Sequence, residues 1–399
     1  LPSQQNQRLY FLDWVRIIAF FVLIFYHVGM YYVTWDWSVK SEFKSDTIEP
    51  LMMLSSPWRL SLLFMISGVA SCFMLNKLKL ARFAALRSWR LLIPLLFGMA
   101  VIVPPQSYFE VVEKVNYAGS YSDFLNLYYH AFKGFCDPKD ASKCLILPTW
   151  NHLWFVAYLW VYSMLLWGLA KFAPQCLEKM RAGLQGWMHG WLIVILPVMY
   201  LALVRVVLYG DFPSTNALLG DWFNHANYLF LFLFGVLIAT SQTFWQEVSD
   251  LRWQCLAFAL SGWVFMFWYT HHYTDSIQPS NAILYFQRIW YVFLAWNAIL
   301  AVCGFAYRHL NFDHSLRPYL TEAVFPVYIL HQTLTIVMAH SFKPWHLHPL
   351  AEGLLLVGLT FGLSFIGFEI IRRVSLLRPL FGLSAIAKPV FVSPKFVTE

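Results

Sequence analysis

RLYFLDWVRIIAFFVLIFYHVGMYYV, residues 8–33, sets the class of the whole chain. It is long and apolar enough to cross a bilayer, for which about 20 residues suffice. It nevertheless carries Asp13, Arg16 and His27. Ionisable groups are costly in lipid, so a charge inside a span is a functional candidate by default. Arg16 and His27 are about three helical turns apart and therefore share one face. The rise between them is roughly 16 Å, a large part of the hydrocarbon thickness. Asp13 precedes Arg16 by one turn and can pair with it on that face. The spacing predicts a polar stripe running from the start of the helix to near its other end. The alternative is an interfacial Asp–Arg pair and a histidine hydrogen-bonded within a bundle.

Composition extends this reading to the whole chain. Of 399 residues, 59% are hydrophobic and 12% charged, and mean hydropathy is +0.55. Soluble domains carry about 25% charged residues, so a polytopic membrane protein is the class that fits. The formal charge of +7 is a matter of loop placement rather than a sign of nucleic-acid binding. The 19 Trp, 21 Tyr and 36 Phe suit interfacial belts and aromatic cavity walls. No cleavable signal peptide is expected, because residues 1–7 are polar and the first apolar run is too long and too polar-studded. With no soluble catalytic segment, low-complexity tail or repeat, the expectation is a single membrane domain over residues 1–399.

Hydropathy predicts about ten spans, near 10–33, 51–75, 84–105, 151–173, 187–209, 222–241, 252–272, 282–307, 318–340 and 350–376. The fold class is therefore all-α, a transmembrane helix bundle; barrel strands are excluded because the runs are long and do not alternate. With the N-terminus inside, 18 of the 28 Lys and Arg fall on the inner side. They include Arg8, Lys77, Lys79, Arg82, Arg87, Arg90, Lys388 and Lys395. The outer segments take most acids, among them Asp36, Glu49, Glu110, Glu113 and Asp275. This bias places both termini in the cytoplasm, with Arg16 toward the inside and His27 toward the outside.

One long external loop is expected, about 106–150. Its aromatic middle, residues 121–135, reads as an amphipathic interfacial helix, either a lid over an outer cavity or a surface anchor. Cys136 and Cys144 in that loop are either a disulfide or two free thiols. No CxxC spacing occurs, and His346 and His348 lack companion ligands, so no metal site is expected.

Further polar residues interrupt apolar runs. Arg87 and Arg90 stand three apart at the inner end of span three and suit phosphates through guanidinium forks, although inner-boundary cations are routine. Asn151, His152 and Trp154 mix aromatic faces with hydrogen-bonding groups, the composition of a sugar grip or of an interface belt. His331 sits deep in span nine, either functional or as bundle glue. Glu369 either serves the site or pairs with Arg373 four residues on. Arg59, Arg205 and Arg288 are outer-side cations. Together these residues suit an anionic thioester approaching from inside and a histidine general base acting on a hydroxyl from outside.

At this point the sequence resembles the acyltransferase-3 family of integral membrane proteins. Arg16 and His27 match its arginine–ten residues–histidine pattern, and Arg87 and Arg90 its R-x-x-R. FLDWVR, HLWF at 152–155 and FPVYILHQ at 325–332 are also similar to the family. Within it, LDWVRIIAF, YHVGMYYVTWDWSVKS and LLRPLFGL at 376–383 resemble the glucan biosynthesis C subgroup. The family resemblance implies a bacterial enzyme of the cytoplasmic (inner) membrane, transferring an acyl group from cytoplasmic acyl-CoA to an extracytoplasmic carbohydrate hydroxyl. The subgroup implies succinyl-CoA as donor and osmoregulated periplasmic glucans as acceptor. By carry-over His27 is the base, with Arg16 and Asp13 in the catalytic set. Arg16, Arg87 and Arg90 bind CoA. Asn151, His152, Trp154, His331, Arg288 and Glu369 are the substrate-side candidates. The competing expectations are O-acetylation of another envelope glycan and glycan transport or flipping. A succinyl donor requires a cation for its distal carboxylate, for which Arg59, Arg205 and Arg288 are the candidates.

Overall fold

The computed structural model describes residues 9–137, 140–274 and 276–384, with backbone only at 137 and 140–143. Arg8, Asp275, Lys388 and Lys395 of the charge count lie outside the described residues. In chain order the helices begin with α1 (Tyr10–Tyr32), the short α2 (Glu49–Met53), α3 (Arg59–Lys77), α4 (Leu80–Phe97), α5 (Pro104–Val115) and α6 (Tyr121–Tyr129). A hairpin of β1 (Cys136–Asp137) and β2 (Asp140–Cys144) follows. Then come α7 (Trp154–Phe172), α8 (Pro174–Trp187), α9 (Leu192–Leu208), α10 (Trp222–Ile238), α11 (Gln242–Asp250) and α12 (Arg252–His272). The chain closes with α13 (Asn281–His309), α14 (Leu316–Phe342), α15 (Pro349–Arg373) and α16 (Leu377–Leu380).

Among the described residues, seven helical stretches are long and apolar enough to cross a membrane, or eight if α10 and α11, bent by 112° at their junction, form one span. Hydropathy alone suggested about ten. The difference lies in α9, α12 and, unless it is joined to α11, the 17-residue α10. α9 has only 17 residues, and α12 has 21 but is diluted by Trp, Tyr and His. Bulky apolar side chains such as Leu96, Leu203, Leu354 and Ile366 face outward, which is the expected surface of a multi-pass membrane protein.

α1 lies against α3, α13, α14 and α15, so its polar stripe faces protein rather than lipid. α3 and α10 cross through two glycines. A Cβ on Gly68 would lie 1.9 Å from the Phe232 carbonyl oxygen, and one on Gly235 would lie 2.0 Å from that of Met65. Small residues allow such backbone approach between membrane helices, where apolar burial gives no net drive.

α4 ends in a π-helical turn, Gly98–Ile102, shortly after Pro94. The altered carbonyl pattern finds side-chain donors. Tyr128 donates to Met99 O at 2.8 Å, Tyr129 to Ala100 O at 2.6 Å and Thr333 to Ile102 O at 2.7 Å. Pro104 then opens α5, a position where its missing N–H costs nothing. The kink delivers Gln106 into the bundle.

The long loop is folded. α6 starts at a Ser120–Asp123 capping box and ends near Tyr129, sooner than the expected 121–135. Phe124 and Tyr128 form a small core with Val111, Phe135 and Leu147. Cys136 and Cys144 are disulfide-bonded across the hairpin. Beyond α1, Lys40 donates to Met30 O at 2.5 Å, covering a carbonyl of the last helical turn.

Candidate functional site

Three histidines from three segments meet near the far end of α1. His27 Nδ1 is 2.8 Å from His331 Nε2 on α14. His331 Nδ1 is 2.6 Å from the Tyr328 carbonyl. The ring of His152, in the short 3-10 turn before α7, lies 5.5 Å from that of His331. A carbonyl only accepts, so His331 carries its proton on Nδ1 and its Nε2 is a lone pair. His27 must then donate from Nδ1, which leaves its Nε2 unprotonated. This tautomer assignment follows from the hydrogen-bond network. Nε2 of His27 has no protein partner among the described residues, as a general base needs.

The surrounding network is similarly determined. His152 Nε2 donates to Ile329 O at 3.2 Å, and its Nδ1 accepts from Gln106 Nε2 at 3.3 Å. Gln106 also donates to Thr333 Oγ1 at 2.6 Å. Gln332 Nε2 donates to Gln106 Oε1 at 3.2 Å and to Asn151 Oδ1 at 3.3 Å. Tyr328 donates from its hydroxyl to the His152 carbonyl at 2.5 Å. Each of these hydrogen bonds has a defined direction, and connected networks of this kind rigidify a site. Asn151 holds a left-handed φ of 42°, a conformation uncommon outside glycine and often found at functional positions.

His27, Asn151, His152 and Trp154 line one cavity of about 390 Å³, together with Tyr26, Arg59, Trp150, Asn216 and Gln332. That volume is within the range of small-molecule sites. The loop carrying Asn216 is fixed by Asp221, a buried carboxylate that accepts from Tyr158 at 2.5 Å, Asn216 N at 2.9 Å and Asn224 at 2.8 Å. Trp150 Nε1 donates to Asn216 O at 3.0 Å, joining the two walls. Beyond His27, Tyr32 donates to the buried Glu352 at 2.7 Å, tying α1 to α15.

At the opposite end of α1 a cationic cluster forms. Arg87 donates to Ser71 on α3, and the charges of Arg90 and Arg16 both act on it. Arg90 donates to Ser384 Oγ at 2.5 Å. The Nε atoms of Arg16 and Arg87 are buried without a partner. Such an arginine group is suited to phosphate oxygens.

The structure thus brings His27, His331, His152, Asn151 and Trp154 together, and Arg16, Arg87 and Arg90 together. Three other candidates lie apart from the histidines. Asp13 pairs with Arg317 of α14 at 2.8 Å and, more loosely, with Arg16 at 3.9 Å; it ties helices at the arginine end, away from the histidines. Arg288 donates to Val206 O at 3.4 Å and is not among the cavity residues. Glu369 forms ion pairs with Arg373 at 2.8 Å and Arg372 at 3.2 Å, the local pairing that its spacing allowed. Gln106, Tyr328 and Gln332 were missed as site residues. Gln332 was signalled by its place beside His331 in an apolar run, whereas Gln106 falls at the start of the expected external loop.

The profile of the acyltransferase domain family matches residues 9–369. The chain is similar to glucans biosynthesis protein C of Salmonella gallinarum, at 24% identity over 96% of both chains. Its likeness to the Escherichia coli O139:H28 protein of the same name is 26%, again over 96% of both chains. No solved structure matches. With a family match over nearly all of its length and a histidine site built inside a membrane bundle, this chain belongs to the acyltransferase-3 family of membrane acyltransferases.

Proposed function

We propose that the protein is an O-acyltransferase of the bacterial inner membrane, moving a succinyl group from cytoplasmic succinyl-CoA to hydroxyls of periplasmic glucans. The carrying observation is the His27–His331–Tyr328 chain, which leaves His27 Nε2 unprotonated beside a cavity. The relatives' name, glucans biosynthesis protein C, supports a glucan acceptor. The two ends of α1 support a division of labour. Arg16, Arg87 and Arg90 take the CoA phosphates, and the thioester reaches along the stripe toward His27. Asn151, His152 and Trp154 meet the sugar.

In the reaction the glucan hydroxyl attacks the thioester carbonyl carbon. His27 Nε2 takes the hydroxyl proton as the C–O bond forms. The resulting imidazolium is stabilised by its Nδ1–H donated to His331. The tetrahedral intermediate collapses, the C–S bond breaks, and the proton passes to the leaving thiolate, giving ester and free CoA. Asn151 is oriented by Gln332 so that its amide N–H groups remain for a substrate oxygen.

The test compares periplasmic glycans by mass spectrometry from cells with the protein, without it, and with His27→Ala. A succinyl mass increment present only with the wild-type protein is expected. An acetyl increment instead identifies the other donor, and unchanged glycans in all three refute acyl transfer.

A further inference from the structure

Arg59, the first residue of α3, is only 2% exposed. Among the described residues no carboxylate lies within salt-bridge distance of it. Its Nη1 donates to Ser55 Oγ at 3.0 Å, its guanidinium lies 4.0 Å over the Tyr26 ring, and its Nε has no partner. The other arginine buried to this degree, Arg317, is supplied with two acids, Asp13 and Asp313. A buried cation without a counter-ion is costly, and an aromatic face recovers only part of that cost. Arg59 lines the same cavity as His27, so the missing anion has a place to arrive.

A second, smaller cavity of about 190 Å³ adjoins the first through Ser56 and Leu60, which line both. Its walls include Arg205, Asn224 and Asn227. Arg205 is also without a carboxylate partner among the described residues; it stacks 3.9 Å over Tyr291, and its Nε is unpartnered. Two guanidinium groups therefore stand on one side of the His27 cavity without a carboxylate in contact; the buried acid of this region, Asp221, is taken up by Tyr158, Asn216 and Asn224.

We propose that Arg59 is the specificity-determining residue for the acyl group. It receives the distal carboxylate of a dicarboxylic acyl thioester while the thioester carbon lies at His27, with Arg205 adding positive potential from behind. The inference rests on the acyl-transfer reading of this cavity. A planar guanidinium matches a carboxylate in shape as well as charge. A neutral acyl chain in the same position leaves the arginine uncompensated, which is how a polar pocket rejects the analogue lacking its partner.

The experiment measures kcat/KM of the purified full-length protein with succinyl-CoA and with butyryl-CoA, a donor of equal chain length without the charge, using one glucan acceptor. The variants are Arg59→Gln and Arg59→Lys. In Arg59→Gln, succinyl transfer is expected to fall roughly 10- to 100-fold, the size of a lost hydrogen bond to a charged group, while butyryl transfer changes less than about threefold. Arg59→Lys keeps the charge but not the fork, and its succinyl preference is expected to lie between wild type and Gln. An equal loss with both donors means that Arg59 serves folding or an anionic acceptor, and overturns the proposal. An unchanged succinyl-to-butyryl ratio in Arg59→Lys overturns it as well, including where the Gln variant does not fold. If wild type uses neither donor, the acyl-transfer reading itself has failed, a result distinct from both.

Discussion

Replacing His331 by Ala separates the tautomer argument from a packing argument. In the wild type, His331 fixes the proton of His27 on Nδ1 and leaves Nε2 as the base. When His27 takes the proton of the attacking hydroxyl, the 2.8 Å contact to His331 becomes a charge-assisted hydrogen bond. Such bonds contribute about 1.5–3 kcal/mol, and about 1.4 kcal/mol is a factor of ten in rate. His331→Ala is therefore expected to lower kcat by roughly 10- to 150-fold at saturating donor, with little change in the KM for acyl-CoA. Removing His27 eliminates the group that His331 orients. Thus in a His27→Ala background the second substitution should cost almost nothing more, the non-additivity expected of residues acting as a unit. Steady-state kinetics on the four proteins, with thermal melting as the folding control, completes the cycle. Independent, multiplicative losses from the two substitutions would refute the relay.

Three more outcomes can be checked. Arg87→Ala and Arg90→Ala should each weaken CoA binding about tenfold in titration calorimetry, because phosphate contacts are charge-assisted; equal affinities count against a phosphate role. Gly68→Ala forces a Cβ to within 1.9 Å of the Phe232 carbonyl oxygen. Overpacking of this kind costs about 1–3 kcal/mol, so the melting temperature in detergent should fall, and an unchanged value argues against the close α3–α10 crossing. Lys40, in the loop after α1, is pulled down to about 8 chiefly by burial, with Asp36 opposing. Its folded pKa lies below the usual 10.5, so the penalty for burying the charged amine is complete below pH 8 and is relieved as pH rises toward 10.5. Wild type should gain melting temperature relative to Lys40→Met between pH 8 and 10; parallel curves would remove Lys40 as the cause.

The membrane class, the helical architecture and the two-ended character of α1 are legible in the residues alone. These follow from local quantities: the length of apolar runs, the low charge content and a 3.6-residue period that places Arg16 and His27 on one face. The sequence also exposed His331, His152 and Asn151, because a polar residue in an apolar run is conspicuous wherever the run folds. Span number was less legible, since α9 and α10 have 17 residues each and α12 is diluted by polar aromatics. Tertiary structure alone decided who meets whom. Glu369 looked like a substrate-side residue, yet it pairs with Arg373 and Arg372, whereas Asp13 keeps its expected place beside Arg16 and gains Arg317. Arg59 looked no different from Arg288 until packing placed one in the His27 cavity and left the other beside Val206. The tautomer of His27 depends on a contact between residues 304 positions apart. Partners at that separation are set by how helices cross, through features such as the Gly68–Gly235 approach, and no local pattern encodes them.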